Sequence, residues 1–197
     1  ISILPGLFDE AGMGIRTNSA LESITGFNNL KQLQGPLNIE GQPLLSDLSG
    51  FSNLKSVKEL TLKNIGLTDF TAFGQLATIS QLLSVTHCPN LQSFDGLENL
   101  SSPLTALSII TNPRLYNINA LNNIKSVEES ITIQKSPLLS KCSIYAVCDH
   151  LVKNGMLYVG GNNTGCNTKE EISLGCSQSD KDDDNDGVMN NLDQCPN

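Results

Sequence analysis

One pattern recurs along most of this chain: Leu21, Leu45, Leu67, Leu91, Leu115 and Leu139 open segments built on L-x-x-[IFL]-x-[GA]-[FL]-x-[NQ]-[LI], at spacings of 24, 22, 24, 24 and 24 residues. The same chemistry returns at the same offset within each segment. Gly26, Gly50, Ala72, Gly96 and Ala120 share one position, Phe27, Phe51, Phe73, Leu97 and Leu121 the next, and Leu30, Leu54, Leu76, Leu100 and Ile124 a third. A repeat of this length cannot bury its apolar face alone, so its copies must stack into a solenoid.

Each repeat closes on an apolar pair two residues apart: Leu37-x-Ile39, Leu60-x-Leu62, Leu83-x-Val85, Leu107-x-Ile109, Ile131-x-Ile133 and Leu157-x-Val159, with Met13-x-Ile15 one repeat earlier. Period-two alternation marks half-buried strands, and their regular spacing stacks them into a parallel sheet of seven turns. Pro43, Pro89, Pro113 and Pro137 fall where the chain leaves that sheet and no ladder donor is needed. The stretches from Gly26 to Leu33 and from Gly50 to Val57 are rich in Asn and Gly, not in strong helix formers, and read as short strand or irregular wall. Asn18, Gln42, Cys88, Asn112, Ser136 and Asn162 share the third offset past the strand, a pattern suited to a buried polar ladder.

Composition narrows the function. The 197 residues carry a formal charge of -8, but residues 180 to 193 alone, with six Asp and one Lys, supply -5 of it. The solenoid is nearly neutral and has no clustered Lys and Arg of the kind that neutralises phosphates, which argues against nucleic acid as a partner. No apolar run approaches the roughly 20 residues of a membrane-spanning helix, so no membrane insertion is expected of this stretch. The start at Ile1 and the end just past Cys195-Pro196 suggest a piece of a longer protein.

Four of the six cysteines, Cys142, Cys148, Cys166 and Cys176, cluster where the repeat stops, which indicates an oxidising, extracellular setting. Of the three possible connectivities we favour Cys142 with Cys166 and Cys148 with Cys176, because Cys142 takes the repeat offset of Ile24 and Ile118 and Cys166 follows the last strand. A zinc site lacks any C-x-x-C pair in its support. Residues 139–176 read as a lid on the last turn. Ile144, Val147, Cys148 and Leu151 have helical spacing behind a Ser143 cap, with Gly155 at the end; Thr168 and Glu171 form a capping box for a second helix that Gly175 stops.

Repeats of this form, ending in a disulfide-bonded helical cap, resemble the receptor L domain family, the leucine-rich-repeat-like right-handed β-helices of receptor ectodomains that also recur in secreted bacterial surface proteins. The likeness runs over roughly residues 13 to 176 and implies an all-β solenoid, residues 1–176, that binds through its sheet face. In residues 177–197 a second motif follows: Asp182, Asp184, Asp186, Asn190 and Asp193 fall at positions 1, 3, 5, 9 and 12 of a loop, with the Val188 carbonyl at position 7 and Gly187 at the turn. That is the spacing of a calcium loop. With Cys195-Pro196 it resembles a truncated thrombospondin type 3 repeat, a stalk element whose cofactor is Ca2+.

The outward strand positions Asn38, Glu40, Thr61, Lys63, Ser84, Thr86, Ser108, Ile110, Thr132 and Gln134 form a flat, mixed face, and Glu40, Lys63, Thr86, Ile110 and Gln134 are its candidate binding row. Only two histidines exist, His87 at the sheet edge and His150 on the cap, where exposed positions are expected, and neither has a catalytic constellation in sequence. Cys88 reads as a small buried residue, with a reactive thiol as the alternative. Asn99-Leu-Ser101 and Asn162-Asn-Thr164 fit the glycosylation sequon, which matters only in a eukaryotic source. The resulting expectation is a non-enzymatic cell-surface or secreted module that binds a protein or glycan ligand. A structural spacer in a large adhesin and an appendage of a glycan-active enzyme are the alternatives.

Overall fold

Each apolar pair becomes one rung of a parallel sheet. The computed structural model describes residues 12–16 and 18–179. Seven strands lie there in chain order, each paired in parallel with the next: β1 Met13–Arg16, β2 Gln32–Gln42, β3 Ser56–Ile65, β4 Thr78–Thr86, β5 Leu104–Ile110, β6 Val127–Gln134 and β7 Met156–Gly160. The register aligns Met13, Leu37, Leu60, Leu83, Leu107, Ile131 and Leu157 across the stack, and aligns Ile15, Ile39, Leu62, Val85, Ile109, Ile133 and Val159 two residues on. From β2 to β6 every one of these inward side chains is at most 1% exposed. Full burial of one such side chain is worth roughly 1.5 to 3 kcal/mol, so a column renewed at every turn holds the solenoid-like stack together.

Turn chemistry fixes where each strand ends. The N–H of Leu45, Leu91, Leu115 and Leu139 donates to the carbonyl of Gln42, Cys88, Asn112 and Ser136 at 3.0, 3.4, 3.1 and 2.9 Å. Pro43, Pro89, Pro113 and Pro137 occupy the second position of these turns, where a fixed φ fits and no donor is required. At the next corner the chain makes single 3-10 turns at Ser49–Phe51, Thr71–Phe73 and Asn119–Asn123. Asp47, Asp69 and Asn117 accept the N–H groups of Ser49, Thr71 and Asn119 at 2.8, 3.0 and 2.9 Å, so a side chain seeds each turn.

The wall therefore differs from the expected short strand or irregular segment. Its first half is a tight turn, and its second half belongs to the sheet: Leu33 pairs with Val57, and Val57 with Ile79, before a bulge shifts the register. The bulge breaks the period-two alternation by which strands are recognised in sequence. Gly50 keeps the corner small, since a Cβ there would lie 2.8 Å from the Ile24 carbonyl oxygen. Behind the corners the rings of Phe27, Phe51 and Phe73 stack at 5.3 and 5.9 Å, and those of Phe70 and Phe94 at 4.8 Å. Outside them Asn53, Asn99 and Asn123 donate to the carbonyls of Asn28, Gly74 and Glu98 one turn back, each at 2.7 Å, which accounts for the Asn of the repeat.

The last turn is covered by α1 Tyr145–Val152 and α2 Lys169–Ser179, with Cys142 bonded to Cys166 and Cys148 to Cys176. Ile144, Ala146, Val147 and Ile172 are buried under this lid. Three local expectations are corrected here. Ser143 does not cap α1; Asn122, one turn earlier, accepts the Tyr145 N–H at 2.9 Å. Gly175 does not stop α2 but lies within it, and a Cβ there would come 2.9 Å from the Ser143 hydroxyl. Asn154, with φ of 54°, takes the left-handed position after α1, while Gly155 makes room for the His150 ring. The capping box is present in altered form: Thr168 accepts the Glu171 N–H at 3.2 Å, and Glu171 accepts from Gly165 and Asn167 at 2.9 and 2.8 Å.

Candidate functional site

Alternation sends every second strand residue outward, and the parallel register lines those residues up. Glu40, Lys63, Thr86, Ile110 and Gln134 stand side by side in one row across β2 to β6, preceded on β1 by Arg16. Two residues earlier, Asn38, Thr61, Ser84, Ser108 and Thr132 form a second row that ends at Tyr158 on β7. The five candidate residues are thus brought together on one surface. Arg16 and Glu40 approach to 3.8 Å across the first rung, both partly exposed.

A third row lies at the edge of this face and was not singled out from sequence. Directly after the outward row, Asn64, His87, Thr111 and Lys135 adopt φ of 52°, 58°, 58° and 55°, and Gly41 and Gly161 hold the same station with φ of 72° and 70°. The left-handed conformation turns the backbone N–H along the stack: His87, Thr111 and Lys135 donate to the carbonyls of Ile110, Gln134 and Gly160, each at 2.9 Å. Glycine adopts this conformation freely, but side-chain-bearing residues pay for it, and a β-branched Thr most of all. Gly41, Gly161 and Asn64 at one offset were the available sequence signal.

Beneath this edge runs the expected polar ladder. Gln42, Asn112 and Ser136 are fully buried. Gln42 accepts the Asn18 N–H at 3.1 Å and donates to the Glu40 carbonyl at 3.0 Å. Asn162 accepts from Ser136 at 3.0 Å and donates to Ile133 and Cys166 carbonyls at 2.7 and 2.9 Å. Both amide hydrogens of Asn162 are therefore engaged inside the fold, which makes it a poor acceptor for a glycan. Cys88 is 1% exposed, and burial pushes its thiol up to about 11, so it carries no reactive thiolate at neutral pH.

His87 is exposed, as expected, but His150 is not. Only 2% of it is accessible, with Nδ1 at 2.9 Å from the Val127 carbonyl oxygen and Nε2 at 3.2 Å from that of Met156, so the ring ties α1 to β6 and β7. Its setting is structural. Asp47 and Asp69 are engaged in their turns: the Ser49 N–H and hydroxyl hold Asp47 below the ordinary carboxylate value. Burial pushes Asp69 up, but hydrogen bonds from Thr71 and Thr68 outweigh it, leaving the carboxyl lowered.

Among the described residues no cluster of three or more His, Cys, Asp or Glu side chains could hold a metal, and no helix is long and apolar enough to cross a membrane. The calcium-loop residues Asp182, Asp184, Asp186, Val188, Asn190 and Asp193 lie outside the described residues, as does Cys195. No family model matches the chain, and neither the curated proteins nor the solved structures contain a match to it.

Proposed function

We propose that this chain is a non-enzymatic extracellular recognition module that binds a protein or glycan ligand through the outer face of its parallel sheet. The observation that supports this is the in-register surface itself. Two rows of side chains, Asn38 to Thr132 and Glu40 to Gln134, polar except for Ile110, are anchored on a backbone whose opposite face is fully buried. A rigid array of this kind loses little ordering entropy when it binds. Disulfides persist in oxidising compartments, and the two that clamp the cap favour an extracellular setting. The likeness to receptor L domains supports the same reading. The test is a screen of immobilised glycans and extracellular proteins with the wild-type chain and with Lys63→Glu and Lys55→Glu. Hits weakened by the first variant and kept by the second support the sheet face; equal effects count against it.

The tail completes the proposal as a calcium-stiffened stalk. Asp182, Asp184, Asp186, Asn190, Asp193 and the Val188 carbonyl form an all-oxygen donor set, which suits a hard cation, and Gly187 permits the turn such a loop requires. Extracellular modules of this type bind at about 0.1 to 1 mM. Calorimetric titration of calcium should show one such site, lost in Asp184→Ala and Asp193→Ala; undiminished binding in both would place the ion elsewhere. The spacer reading is favoured by the same tail, and a chain that binds calcium but none of the screened ligands would support it instead.

A further inference from the structure

We propose that the edge of the outer face running from Lys63-Asn64 through Thr86-His87 and Ile110-Thr111 to Gln134-Lys135 binds a linear polyanionic glycan. This rests on the reading of the outer face as a recognition surface and names the class of ligand it takes.

Charge gives the first argument. The chain has 20 acidic and 12 basic residues, yet the stretches 60–68, 83–94, 99–127 and 131–148, which build this edge and the turns beyond it, contain no Asp or Glu at all. They contribute Lys63, Arg114 and Lys135 to the edge and its turns. Among the described residues Lys63 and Lys135 form no ion pair, and the carboxylate next in the row, Glu40, is turned to Arg16 at 3.8 Å. An acidic protein thus keeps one basic, carboxylate-free strip, and a strip of one sign attracts the opposite sign.

Strain gives the second. The hydrogen bonds that run along the stack require only a left-handed backbone at the edge station, which Gly41 and Gly161 supply at its two ends. Between them Asn64, His87, Thr111 and Lys135 carry side chains at φ of 52° to 58°. Asn and His enter this region more readily than other side chains, but Thr and Lys do not, so the departures from glycine at Thr111 and Lys135 need a reason outside the fold. What all four share is a hydrogen-bond donor: an amide, an imidazole, a hydroxyl and an ammonium group.

Geometry gives the third. Strand spacing sets the four stations about 4.8 Å apart, in a straight line roughly 14 Å long. The strip has no Phe, Tyr or Trp, and Ile110 is its one apolar residue. Protein interfaces draw most of their energy from a cluster of buried aromatic and Arg anchors, and this strip offers only the half-buried Ile110. An extended polymer with an acidic group on each unit needs only regularly spaced donors.

The test is affinity electrophoresis of the purified chain at about 50 mM salt, where exposed charges are weakly screened, through gels holding polygalacturonate, chondroitin sulfate, neutral dextran or a single-stranded oligothymidylate. Both acidic glycans should retard the protein, and dextran should not. Lys63→Glu/Lys135→Glu should weaken retention about tenfold or more, while Lys31→Glu/Lys55→Glu, on the wall just ahead of β2 and β3, should stay within about twofold. Thr111→Gly should weaken retention without lowering Tm, since glycine relieves the strain. Equal loss from the two double variants would overturn the proposal, as would undiminished retention in both Thr111→Gly and Lys135→Gly. Oligothymidylate held as tightly as the glycans would overturn the glycan assignment. Failure to bind either acidic glycan would overturn the proposal outright; dextran binding abolished by Thr132→Arg would then leave the outer face as a recognition surface for neutral sugars.

Discussion

The side-chain amide of Asn112 joins two turns of the stack: its Oδ1 accepts the Cys88 backbone N–H at 2.9 Å, and its Nδ2 donates to the Val85 carbonyl at 3.0 Å, with the whole residue buried. Replacing it strands a donor and an acceptor in an apolar interior. Asn112→Leu should therefore cost about 2 to 4 kcal/mol, read as a fall in the denaturant midpoint. Ser136 occupies the next rung, but its Oγ has no partner there. Ser136→Ala should be neutral or slightly stabilising, and a loss as large as that of Asn112→Leu would mean the ladder is not what it looks like.

Cys88 gives a pH dependence of known sign. Burial raises its folded thiol to about 11 from an ordinary value of 9.0, so the folded state holds the proton where the unfolded chain has lost it. The associated stability is fully present below pH 9 and disappears as pH rises to about 11, a loss on the order of 2 to 3 kcal/mol. Cys88→Ala should remove that alkaline loss in urea titrations at pH 8 to 11, and a native thiol assay at neutral pH should find Cys88 unreactive. Rapid labelling of the folded protein would contradict its burial.

The cap rests on its two disulfides, which close spans of 24 and 28 residues. Their removal should cost about 2 to 5 kcal/mol each, and the effect should be local. In Cys148→Ser/Cys176→Ser, amide exchange should accelerate in α1, α2 and β7 while β3 to β5 keep their protection. Uniform acceleration through the stack would show that the cap and the solenoid unfold as one unit.

The sequence made the core and the sheet legible because a solenoid repeats its environment. Leu37, Leu60, Leu83, Leu107 and Ile131 each face the same neighbours, so one alternation read five times fixes strand, register and face. The cysteine spacing was legible for the same reason, since Cys142 inherits a core offset and is fully buried. What escaped was set by single contacts with no repeat behind them. His150 is buried because Gly155 lets the chain close over its ring, and Asn122 caps α1 from across a turn boundary. The left-handed edge escaped too, because Thr111 and Lys135 stand where propensity asks for glycine. The outer rows could be placed from sequence, but their ligand could not, since exposed residues are not constrained by packing.

The central claim, recognition through the outer face, is tested most directly by interrupting that face where the fold does not need it. Thr61 and Ser108 are half-buried outward residues of the row from Asn38 to Thr132, two rungs apart. The double variant Thr61→Arg/Ser108→Arg should keep the Tm of the wild type within a few degrees and lose the binding found for the wild type across the screened glycans and extracellular proteins, while Lys55→Glu on the wall keeps it. A folded double variant that binds every wild-type ligand undiminished would contradict the account.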